Sequence, residues 1–192
     1  MVSDKGRVWR VCGISGSLRK ASYNSAVLRA ATELAPAGMS ITAFEGLGNV
    51  PMFNQDVEAE GDPEGVTALK QAIRGADALL IATPEYNGGI PGVLKNALDW
   101  ASRKGADEAA ALTGKPAAVL GASPGRLGTA RAQPQLRQTL GGAGAIVMAK
   151  PEVHLMGVGG LVTDGLLVDE TARRMIAALL EALIDWIPRA QL

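Results

Sequence analysis

Two nearly uninterrupted apolar runs, Ala76 to Thr83 and Pro116 to Ala122, constrain the fold more than any other feature of this chain. A strand without apolar and polar alternation has no solvent face, so it must be covered on both sides. Shorter β-favouring runs stand at residues 7 to 14, at Ser40 to Phe44 and around Ala145 to Met148. Helical patterns fill the intervals. The first runs from Ser25 through Ala26, Val27, Leu28, Ala31 and Leu34, and Pro36 with Gly38 closes it. The second has Asp62 as its expected N-cap and Pro63 at its first position, and ends near Arg74-Gly75. Others are predicted from about Pro91 to Arg103, Thr129 to Leu140 and Asp169 to Ile187. Residues 45 to 62 lack periodicity and contain Gly46, Gly48, Pro51, Asn54 and Gly61, so a long irregular connection is expected there.

Alternation of this kind predicts an α/β domain, a flavodoxin-like three-layer sandwich around a five-stranded parallel sheet of order 2-1-3-4-5. At 192 residues and 47% hydrophobic, the chain fits one domain over its whole length, 1 to 192. Nineteen basic residues balance nineteen acidic ones, which argues against partners bound through a one-sided basic field, nucleic acid and anionic membrane among them. Cys12 is the only cysteine and His154 the only histidine, so an internal disulfide and a multi-cysteine metal site are excluded and a Ser-His-Asp triad lacks support. No apolar run approaches the roughly 20 residues of a membrane span. A cytoplasmic protein is expected, its partners small molecules or copies of itself.

In sheets of this order ligands bind beyond the carboxyl ends of the strands, where the order reverses between the first and third. Three segments leave strands there: Ser15 to Asn24, Pro84 to Ile90 and Ser123 to Gly128, each rich in Gly, Ser, Asn or Pro. The first joins a strand to a helix, so its amides can face an anion. Ser15, Ser17 and Ser22 supply hydroxyls, Asn24 an amide, and Arg19 a guanidinium that can bind two oxygens at once. Such a set suits a terminal phosphate. Neither G-x-x-x-x-G-K-[ST] nor G-x-G-x-x-G is present, which disfavours a nucleotide hydrolase. In the second segment Gly88 and Gly89 let the backbone approach a flat ligand, and Glu85, Tyr86 and Asn87 are placed to fix a ring laterally.

Two motifs, Gly16-Ser-Leu-Arg-Lys-Ala-Ser-Tyr-Asn24 and Pro84-Glu-Tyr-Asn87 followed by Gly92-Val-Leu-Lys-Asn-Ala-Leu-Asp-Trp100, resemble those of the NADPH-dependent FMN reductase family, which includes chromate, quinone and azo-compound reductases. The resemblance implies that Ser17, Arg19, Ser22 and Asn24 hold the FMN phosphate and that Pro84 to Asn87 line the isoalloxazine. Ser123 matches a further contact near the flavin. Arg103 matches an arginine at the pocket mouth, for the phosphates of the nicotinamide cofactor or for an anionic acceptor, although a solvated helix-end residue is an equal reading. Arg131 and Glu152 match a subunit-contact region in some relatives, with Pro134 where those relatives carry a tyrosine.

The activity implied is electron transfer from NADPH or NADH through FMN to a small-molecule electron acceptor such as a quinone, with homodimers or homotetramers as the assembly. No catalytic side chain and no metal are required, since the flavin carries the redox chemistry. The competing reading is a flavodoxin-type electron carrier fed by a protein. Neutral charge and the scarcity of aromatics, 4% with Tyr86 the only obvious ring partner, argue against it.

Overall fold

The computed structural model describes residues 6–104 and 109–190. A parallel sheet forms its centre, in the order β2 (Met39–Phe44), β1 (Trp9–Ser15), β3 (Ala78–Thr83), β4 (Pro116–Ala122), β5 (Ile146–Val147). This is the predicted order. The fifth position is divided: β5 pairs with the start of β4, Pro116 opposite Ile146, whereas β6 (Val153–Leu155) pairs with its end, Leu120 opposite Val153. The sheet therefore has six strand segments where sequence reading expected five. The interruption carries Lys150-Pro151, and a proline there cannot donate to the ladder.

Every residue of β3 and β4 is buried. Two cores result. One lies between the sheet and the helices α1 (Tyr23–Glu33) and α6 (Glu170–Ala190), with Leu80, Leu120, Val27 and Leu180 among its members. The other lies on the opposite face, under α3 (Glu64–Arg74), α4 (Gly92–Ala101) and α5 (Ala132–Gly142), with Ile81, Val119, Leu94 and the fully buried Trp100. Truncating one such leucine to alanine typically costs about 2–5 kcal/mol.

The stretch 45 to 62 is more ordered than its sequence indicates. It holds a 3-10 turn at Gly46–Asn49 and the short helix α2 (Gln55–Ala59), capped by the Asn54 side chain accepting from the Asp56 amide. Contacts from α4 fix it. Asn96 accepts from the Phe53 amide at 2.7 Å and donates to the Pro51 carbonyl at 2.9 Å, which also takes the Trp100 indole N–H at 2.8 Å. These partners lie more than 40 positions away, beyond the reach of a local pattern.

Asp62 is likewise not the cap of α3. Pro63 occupies the N-cap, and the Asp62 carboxylate instead takes the ammonium of Lys70 at 2.8 Å through both oxygens. Lys70 is 1% exposed, so an unpaired charge there would be far more costly than a lost cap. The helix expected from Ser25 begins at Tyr23, behind the cap Ser22, and the one expected from Thr129 begins at Ala132 because Thr129 has a left-handed φ of 73°. Among the described residues no helix is long and apolar enough to cross a membrane.

Two predictions follow from the sheet. A Cβ at Gly121 would collide with Thr129 Oγ1 and lie 2.5 Å from the Thr83 carbonyl oxygen, so Gly121→Ala is expected to lower stability by about 2 kcal/mol or more in urea denaturation. Burial alone would raise the Asp77 pKa, but the Arg10 amide at 2.8 Å and the Arg7 guanidinium at 2.9 Å outweigh it and hold the group below its ordinary 3.8. A depressed folded-state pKa stabilises above the unfolded value and loses that effect as pH falls through the folded one. Asp77→Asn should accordingly be destabilising at neutral pH, with the difference from the unsubstituted chain shrinking below about pH 4.

Candidate functional site

The carboxyl end of β1 is tied to its neighbour by the Gly16 amide, which donates to the Ala82 carbonyl at 2.8 Å. From there the chain turns tightly. Ser17 Oγ accepts from the Arg19 amide at 3.3 Å, and the Ser22 amide donates to the Arg19 carbonyl at 3.0 Å. Ser22 then caps α1, its hydroxyl accepting from the Ser25 amide at 3.2 Å. The first turn of that helix carries no acidic residue, so nothing on it opposes an anion at its N-terminus. Arg19 rests above the ring of Tyr23, its guanidinium carbon 4.9 Å from the centroid.

The loop leaving β3 is shaped by its backbone. Tyr86 and Gly89 exchange two 3.0 Å hydrogen bonds, and the residues between them, Asn87 (φ 52°) and Gly88 (φ 77°), are both left-handed. That is a two-residue type I′ turn, for which Asn-Gly is the preferred pair. Helix α5 holds the loop from behind. Glu85 Oε2 accepts from the Arg131 and Ala132 amides at 2.8 and 3.0 Å, while Gln135 accepts from the Ile90 amide and donates to the Gly88 carbonyl, each at 3.3 Å. The Glu85 carboxylate therefore serves α5, which has no side-chain cap of its own.

Between these loops and the end of β4 lies a cavity of about 250 Å³. It brings together Ser17, Arg19, Ser22, Asn24, Pro84, Glu85, Tyr86 and Ser123 from three distant stretches of sequence. Ser17 Oγ and the Tyr86 hydroxyl stand 3.5 Å apart, and Ser123 Oγ accepts from the Gly125 amide at 3.1 Å.

Four expected residues are placed differently. Ser15 is on the far side of the first loop, its hydroxyl 2.9 Å from that of Ser25. Asn87 and Gly88 form the turn and are not in the cavity wall. Arg103 binds Glu58 Oε1 at 2.7 Å and lies 5.7 Å from the Phe53 ring centroid, so it ties α4 to α2. That carboxylate pushes the guanidinium pKa above its ordinary value. The pairing of this arginine with an acid 45 positions away leaves no trace in a local motif.

Asn24 does reach the cavity, but its carboxamide is engaged with β4: Nδ2 donates to the Ala122 carbonyl and Oδ1 accepts from the Ala122 amide, both at 3.0 Å. The residue is 2% exposed, and its visible role is to clamp α1 to the sheet. Sequence reading did not single out Tyr23, which lines the same cavity under Arg19. An aromatic beside the cap of a phosphate-type loop is the signal that would have marked it. Cys12, buried in β1, has its thiol pushed up to about 11 by burial, which leaves it inert at neutral pH.

Removing the Glu85 carboxylate should strand two amides at the start of α5. Glu85→Ala is expected to cost about 1–2 kcal/mol in chemical denaturation, and Glu85→Gln, which keeps one acceptor oxygen, clearly less.

The chain is similar to known proteins over most of its length. The family model described as NADPH-dependent FMN reductase matches residues 9–158. An NAD(P)H-dependent FMN reductase of Pseudomonas aeruginosa is 50% identical over 181 residues, covering 94% of this chain and 96% of that protein. A quinone reductase of Pseudomonas putida is 39% identical with the same coverage. Among solved structures, the flavoenzyme NAD(P)H:(acceptor) oxidoreductase FerB of Paracoccus denitrificans superposes with a TM-score of 0.85 at 36% identity, over 96% of this chain and all of that one. With a sheet of order β2-β1-β3-β4-β5 and a family match over most of its length, the chain belongs to the NADPH-dependent FMN reductases.

Proposed function

We propose that this protein is an FMN-dependent oxidoreductase that takes electrons from NADPH or NADH and delivers them to a quinone or another small oxidised acceptor. The observation that carries the reading is the single cavity in which Ser17, Arg19 and Ser22 meet Pro84, Tyr86 and Ser123.

The residues fit the flavin mononucleotide at both ends. At the β1 end, two hydroxyls, a helix N-terminus without acids and a guanidinium that makes no ion pair among the described residues match a dianionic phosphate. At the β3 end, Tyr86 is half-exposed and the I′ turn presents a fixed rim against which a flat ring can rest. At about 250 Å³ the cavity falls below the roughly 300 Å³ lower bound for enclosing a drug-sized ligand, so it would enclose only part of the mononucleotide.

An FMN held by these residues would supply the redox chemistry, electron transfer from the nicotinamide to an acceptor. The chain's own part is binding and orientation. Arg19 neutralises the phosphate, and Ser17 and Ser22 donate to its oxygens. The Glu85 and Gln135 contacts keep the β3 loop from shifting under the ring. No proton-transferring side chain is assigned, as the one carboxylate in the cavity is bound to α5 amides. Quinone acceptors are the choice that the named relatives favour. A homodimer or homotetramer acting in the cytoplasm completes the proposal, with chromate and azo compounds as secondary acceptors.

The test is the visible absorption of the FMN-loaded protein under anaerobic conditions. Addition of NADPH or NADH should bleach the flavin, and a benzoquinone should restore it. Flavin that neither nicotinamide bleaches would reduce the protein to a carrier. In the same assay format Arg19→Ala should weaken FMN about tenfold or more while leaving riboflavin, which lacks the phosphate, nearly unaffected.

A further inference from the structure

The cavity wall holds two aromatic residues, Tyr86 and Tyr23. Tyr23 is the first residue of α1, directly after the cap Ser22, and is half-buried. Its ring packs against the core between the sheet, α1 and α6. Its hydroxyl lies beside the 3-10 turn Val158–Gly160, where a Cβ on Gly159 would stand 3.4 Å from it. That segment is joined to the loop after β4, since the Val158 amide donates to the Ser123 carbonyl at 3.2 Å. The ring is therefore held by the core on one side and met by a backbone turn on the other.

Arg19, by contrast, is exposed. Its guanidinium makes no ion pair and no hydrogen bond among the described residues. What stands against it is the Tyr23 ring, with 4.9 Å from guanidinium carbon to centroid, inside the roughly 6 Å reach of a cation–π contact. An aromatic face attracts a cation through its electron cloud and takes up none of its N–H groups. A carboxylate does the opposite: Glu58 occupies donors of Arg103 and cancels its charge. A free arginine side chain must also surrender rotamer freedom when an anion orders it, which subtracts from affinity.

We propose that Tyr23 is a positioning residue for the flavin phosphate: its fixed ring holds Arg19 at the cavity with charge and donors intact, and so favours FMN over riboflavin. The inference rests on the assignment of this cavity to FMN given above. Riboflavin carries the same ring system without the phosphate, so the influence of Tyr23 is confined to the phosphorylated flavin.

Titration of the flavin-free full chain with FMN and with riboflavin, read by flavin fluorescence, tests the proposal. Tyr23→Leu should weaken FMN about threefold to tenfold and leave riboflavin within about twofold, whereas Tyr23→Phe, which keeps the ring, should match the unsubstituted chain. In an Arg19→Ala background Tyr23→Leu should have no further effect on FMN, because the group it positions is gone. Equal weakening of both flavins, an undiminished effect without Arg19, or no effect at all overturns the proposal. A second measurement needs no substitution at Tyr23. In NMR spectra the Arg19 δ-methylene protons, assigned by their disappearance in Arg19→Ala, should be displaced upfield by the ring, and undisplaced protons also overturn the proposal. A chain that binds neither flavin refutes the oxidoreductase reading and the proposal with it; one that binds both, with Tyr23→Leu weakening them alike, refutes the proposal alone.

Discussion

The lateral pairing of β3 with β4 is the constraint from which the rest of this structure follows. Residues Leu79 to Thr83 lie in register with Ala117 to Gly121, and every side chain of both strands is buried. Two adjacent strands with no solvent face require cover on both sides, which the helices supply as two separate cores. Crossovers of that kind deliver all the parallel strands in one direction. The loops after β1, β3 and β4 consequently meet at one edge, and the cavity forms where they converge.

The site is held mainly by contacts hidden from water. The clamp between Asn24 and the Ala122 backbone is buried, so breaking it would leave polar groups unsatisfied at about 1–3 kcal/mol each. By contrast, the Ser17 to Tyr86 contact is exposed and stretched to 3.5 Å, and contributes little. The two loops on either side of the cavity are therefore fixed independently, one by α1 and β4, the other by α5. They are not braced against each other beyond this one contact.

Sequence reading recovers what local chemistry dictates. The strand order, the crossover helices and the clustering of Ser17, Arg19, Ser22, Pro84, Tyr86 and Ser123 all follow from apolar periodicity and from the residues at strand ends. It fails where a distant partner outbids a local one. Asp62 has the right type and spacing for a cap, yet a buried ammonium eight positions on claims its carboxylate. Likewise invisible to a local pattern are the partners that Arg103 finds in Glu58 and Asn24 in the Ala122 backbone. The divided edge strand escapes for another reason: Ile146–Val147 and Val153–Leu155 are each too short to rise above the surrounding pattern.

The mirror-image turn at Asn87-Gly88 separates architecture from recognition. Its shape comes from two left-handed residues and a closed pair of backbone hydrogen bonds, and the side chains that anchor it, Glu85 and Gln135, belong to the α5 side. The half-exposed Tyr86 side chain, on the cavity side, carries no such duty. Exchanging it among aromatic or aliphatic residues changes what the rim can accommodate while leaving the rim in place. The surface of the rim can therefore vary at this position without loss of the contacts that hold the loop.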